Sequence, residues 1–163
     1  MNKTELQQKI VDIEKQLAEL KKELERKDKG IWKPEKDEEY YYLRPYGVVI
    51  KEMNTTDTDY ANIEFGNYFK TKEEAEKMAN YLKYTNLLRK YVEEHSEPID
   101  WENTDIVKYN LEYDCEANRI STGTRTFLKT QGTIYASSEE VLKEAISFVG
   151  EENIKRYIFG VEE

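Results

Sequence analysis

The chain has 163 residues, 34 of them acidic and 25 basic, and its net charge of −9 disfavours a generic binder of phosphate backbones. Its hydrophobic share is low, but 13 Tyr, 5 Phe and 2 Trp supply bulk for a core, which separates it from disordered chains poor in aromatics. The length suits one ordinary domain or two very small ones, no apolar run is long enough to span a bilayer, and a single cysteine excludes an internal disulfide. With no signal peptide at its start, the chain is expected in a reducing cytoplasm.

Leu6, Ile10, Ile13, Leu17, Leu20 and Leu24 recur at alternating steps of four and three, a heptad seam flanked by Lys, Glu, Gln and Asp. Thr4 and Gln7 fit a capping box at its start. A globular helix carries a wider apolar stripe. The pattern therefore predicts a coiled-coil oligomerisation helix over residues 1–28, on the order of 35 Å long at ~1.5 Å per residue. Self-association is expected, a dimer ahead of a trimer; the plainer reading is a lone helix packed on its own domain. Residues 29–37, with Gly30 and Pro34 among charges, read as a linker.

The remainder, 38–163, reads as an α+β domain built from two repeats, 38–97 and 98–163. Gly66-Asn67-Tyr68-Phe69-Lys70-Thr71-Lys72-Glu73-Glu74-Ala75 is answered by Gly132-Thr133-Ile134-Tyr135-Ala136-Ser137-Ser138-Glu139-Glu140-Val141. Trp32 precedes Tyr40 by the interval that separates Trp101 from Tyr109.

In the first repeat, Tyr40–Leu43 and Gly47–Met53 suggest a hairpin split by Arg44-Pro45-Tyr46. Asn54–Asp59 reads as a polar turn and Tyr60–Phe65 as a third strand. Thr71 and Glu74 cap a helix running to about His95, before Pro98.

In the second, Val107–Tyr113 alternates, Asp114–Asn118 is a turn, Arg119–Leu128 a long strand and Thr133–Ala136 a short one. Ser137 and Glu140 cap a helix that Gly150 stops, and a last short helix follows from Glu151. The fold class is thus a coiled-coil helix followed by two tandem ββ(β)α units forming one small, mainly antiparallel sheet with helices.

Catalytic chemistry is hard to draw. His95 and Cys115 are each the only one of their kind, so no zinc set exists, and neither a dinucleotide-binding Gly motif nor a P-loop occurs. Gly123 reads as an isolated bend. Asp57, Asp59 and Glu64 hint at cation spacing but lack an EF-hand's glycine and terminal Glu, and a solvated turn explains them. Asp100, Glu102 and Asp105 read as surface carboxylates. No enzyme, metal or cofactor is expected.

Two features invite binding. Tyrosine is a contact residue of low conformational entropy, and Tyr40, Tyr41 and Tyr42 in a row must face both sides of a sheet. Arg119 and Arg125 share a strand face, with Lys129 beyond, and near Tyr109 and Tyr113 they would hold a phosphate and a base. The plainer readings are core tyrosines and arginines paired with neighbouring Glu.

Trp32-Lys33-Pro34 ahead of Tyr40-Tyr41-Tyr42, the Gly66–Ala75 stretch and the closing Gly150-Glu151-Glu152-Asn153-Ile154-Lys155-Arg156-Tyr157 resemble a loose group of small proteins encoded by phages and prophages of Gram-positive bacteria. The resemblance spans nearly the whole chain and carries over no catalytic or binding residue. It implies a phage accessory protein in the host-cell cytoplasm, of a kind that often counters host defence by gripping a defence protein or sequestering its nucleotide signal.

The expected function is therefore a non-enzymatic, homo-oligomeric binding protein that sequesters a nucleotide-type immune signal. The alternatives are an acidic inhibitor of a host defence complex and a structural tether. Expected partners are the chain itself and a small nucleotide or a host defence protein, with no membrane; direct nucleic-acid binding is disfavoured.

Overall fold

A computed structural model describes residues 3–27 and 30–162, with the side chains of 3–6, 8, 23–27 and 58 left aside. It divides into two compact units, Met1–Glu35 and Lys36–Glu163. The first contains helix α1 (Lys3–Lys27). Thr4 lies inside this helix, and its expected capping side chain falls outside the described residues. On α1, Ile10, Ile13, Leu17 and Leu20 are all more than half exposed, as is Val11 beside them. The seam positions Leu6 and Leu24 fall among the side chains not described. No helix among the described residues is long and apolar enough to cross a membrane.

The second unit is mixed α and β. Its elements are β1 (Glu39–Arg44), β2 (Val48–Met53), α2 (Asp57–Glu64), α3 (Lys72–His95), β3 (Lys108–Asp114), β4 (Arg119–Arg125), β5 (Tyr135–Ala136), α4 (Glu139–Val149) and α5 (Glu151–Asn153). A π-helical turn, Ile154–Ile158, extends α5.

The single sheet expected from sequence is instead two antiparallel sheets, β1-β2 and β4-β3-β5. Pairing of the two hairpins through their first strands is blocked at the edges. β1 has its hairpin partner on one side, while on the other Tyr41 bridges Phe69 and Asn67 fills the next pairing position. The Asn67 side-chain amide accepts from Leu43 N–H at 3.0 Å and donates to Leu43 C=O at 2.9 Å, as a neighbouring strand would. β3 is likewise flanked on both sides, with Asn110 opposite Tyr135 and Tyr109 opposite Ala136. Neither first strand has an edge left to join the other sheet.

Tyr60–Phe65, expected as a strand, belongs instead to α2 and the residue after it. Its start explains why. The Asp59 carboxylate accepts from the Thr55 and Thr56 backbone N–H groups and the Thr56 hydroxyl at 2.7–3.0 Å, satisfying donors at the helix start. Asp59 is also not in a solvated turn: it is 1% exposed, and the buried Tyr40 hydroxyl donates to it at 2.6 Å. Asn62 donates in turn to the Tyr40 oxygen. No group of three or more His, Cys, Asp or Glu able to hold a metal exists among the described residues.

α3 starts at the expected cap, with Glu74 N–H donating to the Thr71 hydroxyl and the Glu74 carboxylate accepting from Thr71 N–H. It ends at His95, as expected. Ala75 is buried near its start, where α3 packs on β1 and β2. Leu88 and Val92 near its end join Ala136, Leu142, Ala145, Val149 and Ile154 in the core. α4 contributes three of these at helical spacing and is capped by Ser138, whose hydroxyl accepts from Val141 N–H. Ser137 is not the cap; its hydroxyl accepts from Glu97 N–H at 3.0 Å. Gly150 ends α4 at φ +91, a conformation L side chains rarely adopt.

The Tyr40–Asp59 pair generates a prediction. Burial alone would raise the Asp59 pKa, but the hydrogen bonds from Tyr40, Thr56 and Thr55 outweigh it and hold the carboxyl at about 2, below its ordinary 3.8. Burial and the bond to Asp59 push the Tyr40 hydroxyl from 10.0 to about 12. Between about pH 2 and 4 the unfolded chain binds the extra proton at Asp59, so acid destabilises the fold there; between about pH 10 and 12 the folded chain keeps the proton at Tyr40, so base destabilises it. Asp59→Ala should cost about 2–3 kcal/mol in chemical denaturation at neutral pH. It should also flatten the fall of stability below pH 4.

Candidate functional site

The five residues expected to form a ligand site, four on strands β3 and β4 and Lys129 beyond them, do not come together. In the β3–β4 pairing, Lys108 stands opposite Arg125, Tyr109 opposite Thr124, Tyr113 opposite Ile120 and Asp114 opposite Arg119. Paired residues share a face and alternate residues change it, so Tyr109 and Tyr113 lie on one face of the sheet and Arg119 and Arg125 on the other. Tyr109 packs against the core, and the Tyr113 ring lies 5.8 Å from that of Phe159. Arg125 is already paired, its guanidinium 2.7 Å from the Glu112 carboxylate.

Gly123 is not a bend but a buried strand residue opposite Asn110. Glu112 reaches Arg125 diagonally across it, and a Cβ at position 123 would fall on the Glu112 carboxylate. Glycine here therefore leaves the path open for the Glu112–Arg125 pair, which a side chain would force Glu112 to give up.

Two exposed or half-exposed carboxylates make turns. Asp100 accepts from Glu102 and Asn103 N–H, and Asp114 from Glu116 and Ala117 N–H. His95 stacks on Tyr91 at 4.1 Å, with its Nδ1 2.8 Å from the Tyr91 carbonyl, and Cys115 is exposed in the β3–β4 turn.

Of the five, Lys129 lines a large cleft. It lies between the end of α3, the connection 96–101 and the loop 129–135, with a volume of about 750 Å³. Trp101 and Tyr135 provide its aromatic wall, meeting edge to face at 4.8 Å. The Lys129 ammonium lies 5.1 Å from the Trp101 ring centroid and that of Lys108 5.6 Å, both within cation–π range. Arg89 approaches from α3. Among the described residues, neither Arg89 nor Lys129 has a hydrogen-bonding or carboxylate partner, although Glu93 and Glu97 share the cleft.

Each wall is held locally. Lys108 is fully buried, and its ammonium donates to the Asn103 carbonyl at 2.6 Å and the Thr126 carbonyl at 2.8 Å, clamping the segment around Trp101 to the end of β4. The Tyr135 hydroxyl accepts from Thr130 N–H at 2.8 Å and so ties the loop carrying Lys129 to β5. Ser96 and Ser137 join the connection to the start of α4: the Ser96 hydroxyl accepts from Ser137 N–H, and the Ser137 hydroxyl from Glu97 N–H.

An aromatic wall beside two unpaired cations suits a small anion with a flat moiety, the cations taking charge and the ring taking the face. Neither His nor Cys lines the cleft. In the sequence Trp101 marks a repeat and Arg89 is one charge among many on a helix; the signal for the cleft is an aromatic residue in a Pro-containing connection. No family model, characterised protein or solved structure matches this chain.

The two lysines should separate by stability. Lys108→Met removes two charge-assisted hydrogen bonds worth about 1.5–3 kcal/mol each before relaxation, so its melting temperature should fall by several degrees. Lys129→Met should melt within about a degree of the parent, as expected of a surface change away from structural contacts. Differential scanning calorimetry distinguishes the two.

Proposed function

We propose that this chain is a self-associating, non-enzymatic binding protein whose ligand is a nucleotide-type anion held in the Trp101 cleft. The observation that carries this reading is the presence of two cations without carboxylate partners, Arg89 and Lys129, on a cleft walled by Trp101 and Tyr135. A phosphate would bridge the cations and a base would lie against the aromatic wall, taking the place of the Lys129 ammonium over the Trp101 ring. The phage resemblance supplies the biological setting, in which such a protein would sequester a nucleotide immune signal in the host cytoplasm. The strand-face site built on Arg119 and Arg125 is not part of this proposal, because their face is opposite that of the tyrosines.

The exposed Ile10, Ile13, Leu17 and Leu20 support self-association through α1 as a coiled coil. Repeat architecture is supported by matching details in the two halves. Gly66 and Gly132 both have positive φ, and each leads to a residue, Phe69 or Tyr135, that pairs with the first strand of its own hairpin.

A thermal-shift panel of linear and cyclic nucleotides, including ADP-ribose derivatives, tests the ligand. At about a hundred times its dissociation constant a true ligand adds roughly 2.7 kcal/mol, a shift of several degrees. The shift should vanish in Arg89→Ala/Lys129→Ala and persist in Arg119→Ala. A flat panel would overturn the nucleotide reading.

Sedimentation analysis tests the coil. Ile13→Asp/Leu17→Asp should convert the parent oligomer to monomer with the melting profile of residues 36–163 retained. A parent that sediments as a monomer would remove the coil from the proposal.

A further inference from the structure

The domain has a second large cleft, about 860 Å³, beside the β1–β2 turn and the middle of α3. α3 buries Ala75 and Leu88 but leaves Met78 and Leu82 between them 39% and 45% exposed. Phe65, just after α2, is 86% exposed, and Tyr46 at the hairpin tip is fully exposed. Tyr46 also has φ +71, in the left-handed region that a bulky residue seldom occupies. The fold thus holds two large aromatic rings out in solvent on the rim of one cleft, a concentration of apolar surface that isolated exposed residues do not make.

The charges on this cleft are selective. Acidic residues outnumber basic ones across the chain, yet no Asp or Glu lines it. Its charged groups are Arg44 and Lys83, and neither has a carboxylate partner among the described residues. Arg44 Nε donates to the Tyr42 hydroxyl at 3.1 Å, and the Lys83 ammonium lies 4.9 Å from the Tyr84 ring centroid.

We infer that this cleft is a docking site for an acidic amphipathic peptide segment of a partner protein. Apolar side chains of the segment would pack on Phe65, Met78 and Leu82, and its carboxylates would meet Arg44 and Lys83. The choice of an acidic partner follows from local charge and runs against the net charge, which by itself would attract a basic one. That opposition makes the inference testable by charge alone.

The test is fluorescence anisotropy of the full chain with a short fluorescein-labelled peptide of Leu, Phe and Glu, and with a second peptide in which Lys replaces Glu. The Glu peptide should bind saturably and at least about tenfold more tightly than the Lys peptide. Phe65→Ala should weaken it about tenfold without moving the melting temperature, because the ring is a surface anchor. Arg44→Glu/Lys83→Glu should reverse the preference between the peptides. Equal or tighter binding of the Lys peptide, or no saturable binding of the Glu peptide, would overturn the inference. So would a Phe65→Ala variant that changes sedimentation but not peptide binding, an outcome that assigns the cleft to a second copy of the chain.

Discussion

One helix serving two sheets is the constraint on which the domain depends. A two-stranded sheet is marginal by itself in water, and the second sheet, whose β5 is only two residues long, is little larger, so each needs an apolar surface against one face. α3 supplies it to both: it packs on β1 and β2 near its start and contributes Leu88 and Val92 to the β5–α4 core near its end. Between those ends, Met78 and Leu82 meet neither sheet closely enough to be buried. The same geometry that builds the core therefore leaves a half-exposed apolar stretch on the helix, and the second cleft opens there.

Buried polar groups fix the parts that apolar packing leaves loose. Asp59 and Tyr40 join the short helix α2 to β1 through one 2.6 Å hydrogen bond, and Asn67 closes the open edge of β1 with its side chain. Lys108 does comparable work in the other half, where its two bonds to carbonyls hold the Trp101 segment against β4. Such groups are costly to bury unless satisfied, so each one specifies a single local arrangement. The proposed ligand cleft takes its side chains from a helix end and two connections rather than from strand faces, as functional residues on a rigid scaffold commonly do.

Much of the architecture was legible in local signals. The Thr71–Glu74 box and Pro98 bounded α3, Gly150 ended α4, and the β3–β4 turn appeared in its sequence. Tyr60–Phe65 misled because a short segment with apolar residues two and three apart fits strand and helix alike, and the deciding contact, Asp59 to its own helix start, is a capping interaction that the alternation obscured. The candidate site failed for a different reason. Sequence parity puts Arg119 with Arg125 and Tyr109 with Tyr113, but only the pairing register relates the two sets, and that register places Asp114 opposite Arg119. Lys129 survived because it lies beyond the strand, where parity no longer governs it.

The most direct measurement is a fluorescence titration of Trp101 in a Trp32→Phe protein, which leaves a single indole on the wall of the proposed cleft. Adding the nucleotide identified by thermal shift should change the Trp101 emission saturably, with the same midpoint as the stability gain, and Lys129→Met should remove both responses. A nucleotide that stabilises the protein while Trp101 emission stays constant would place the ligand elsewhere and contradict the account.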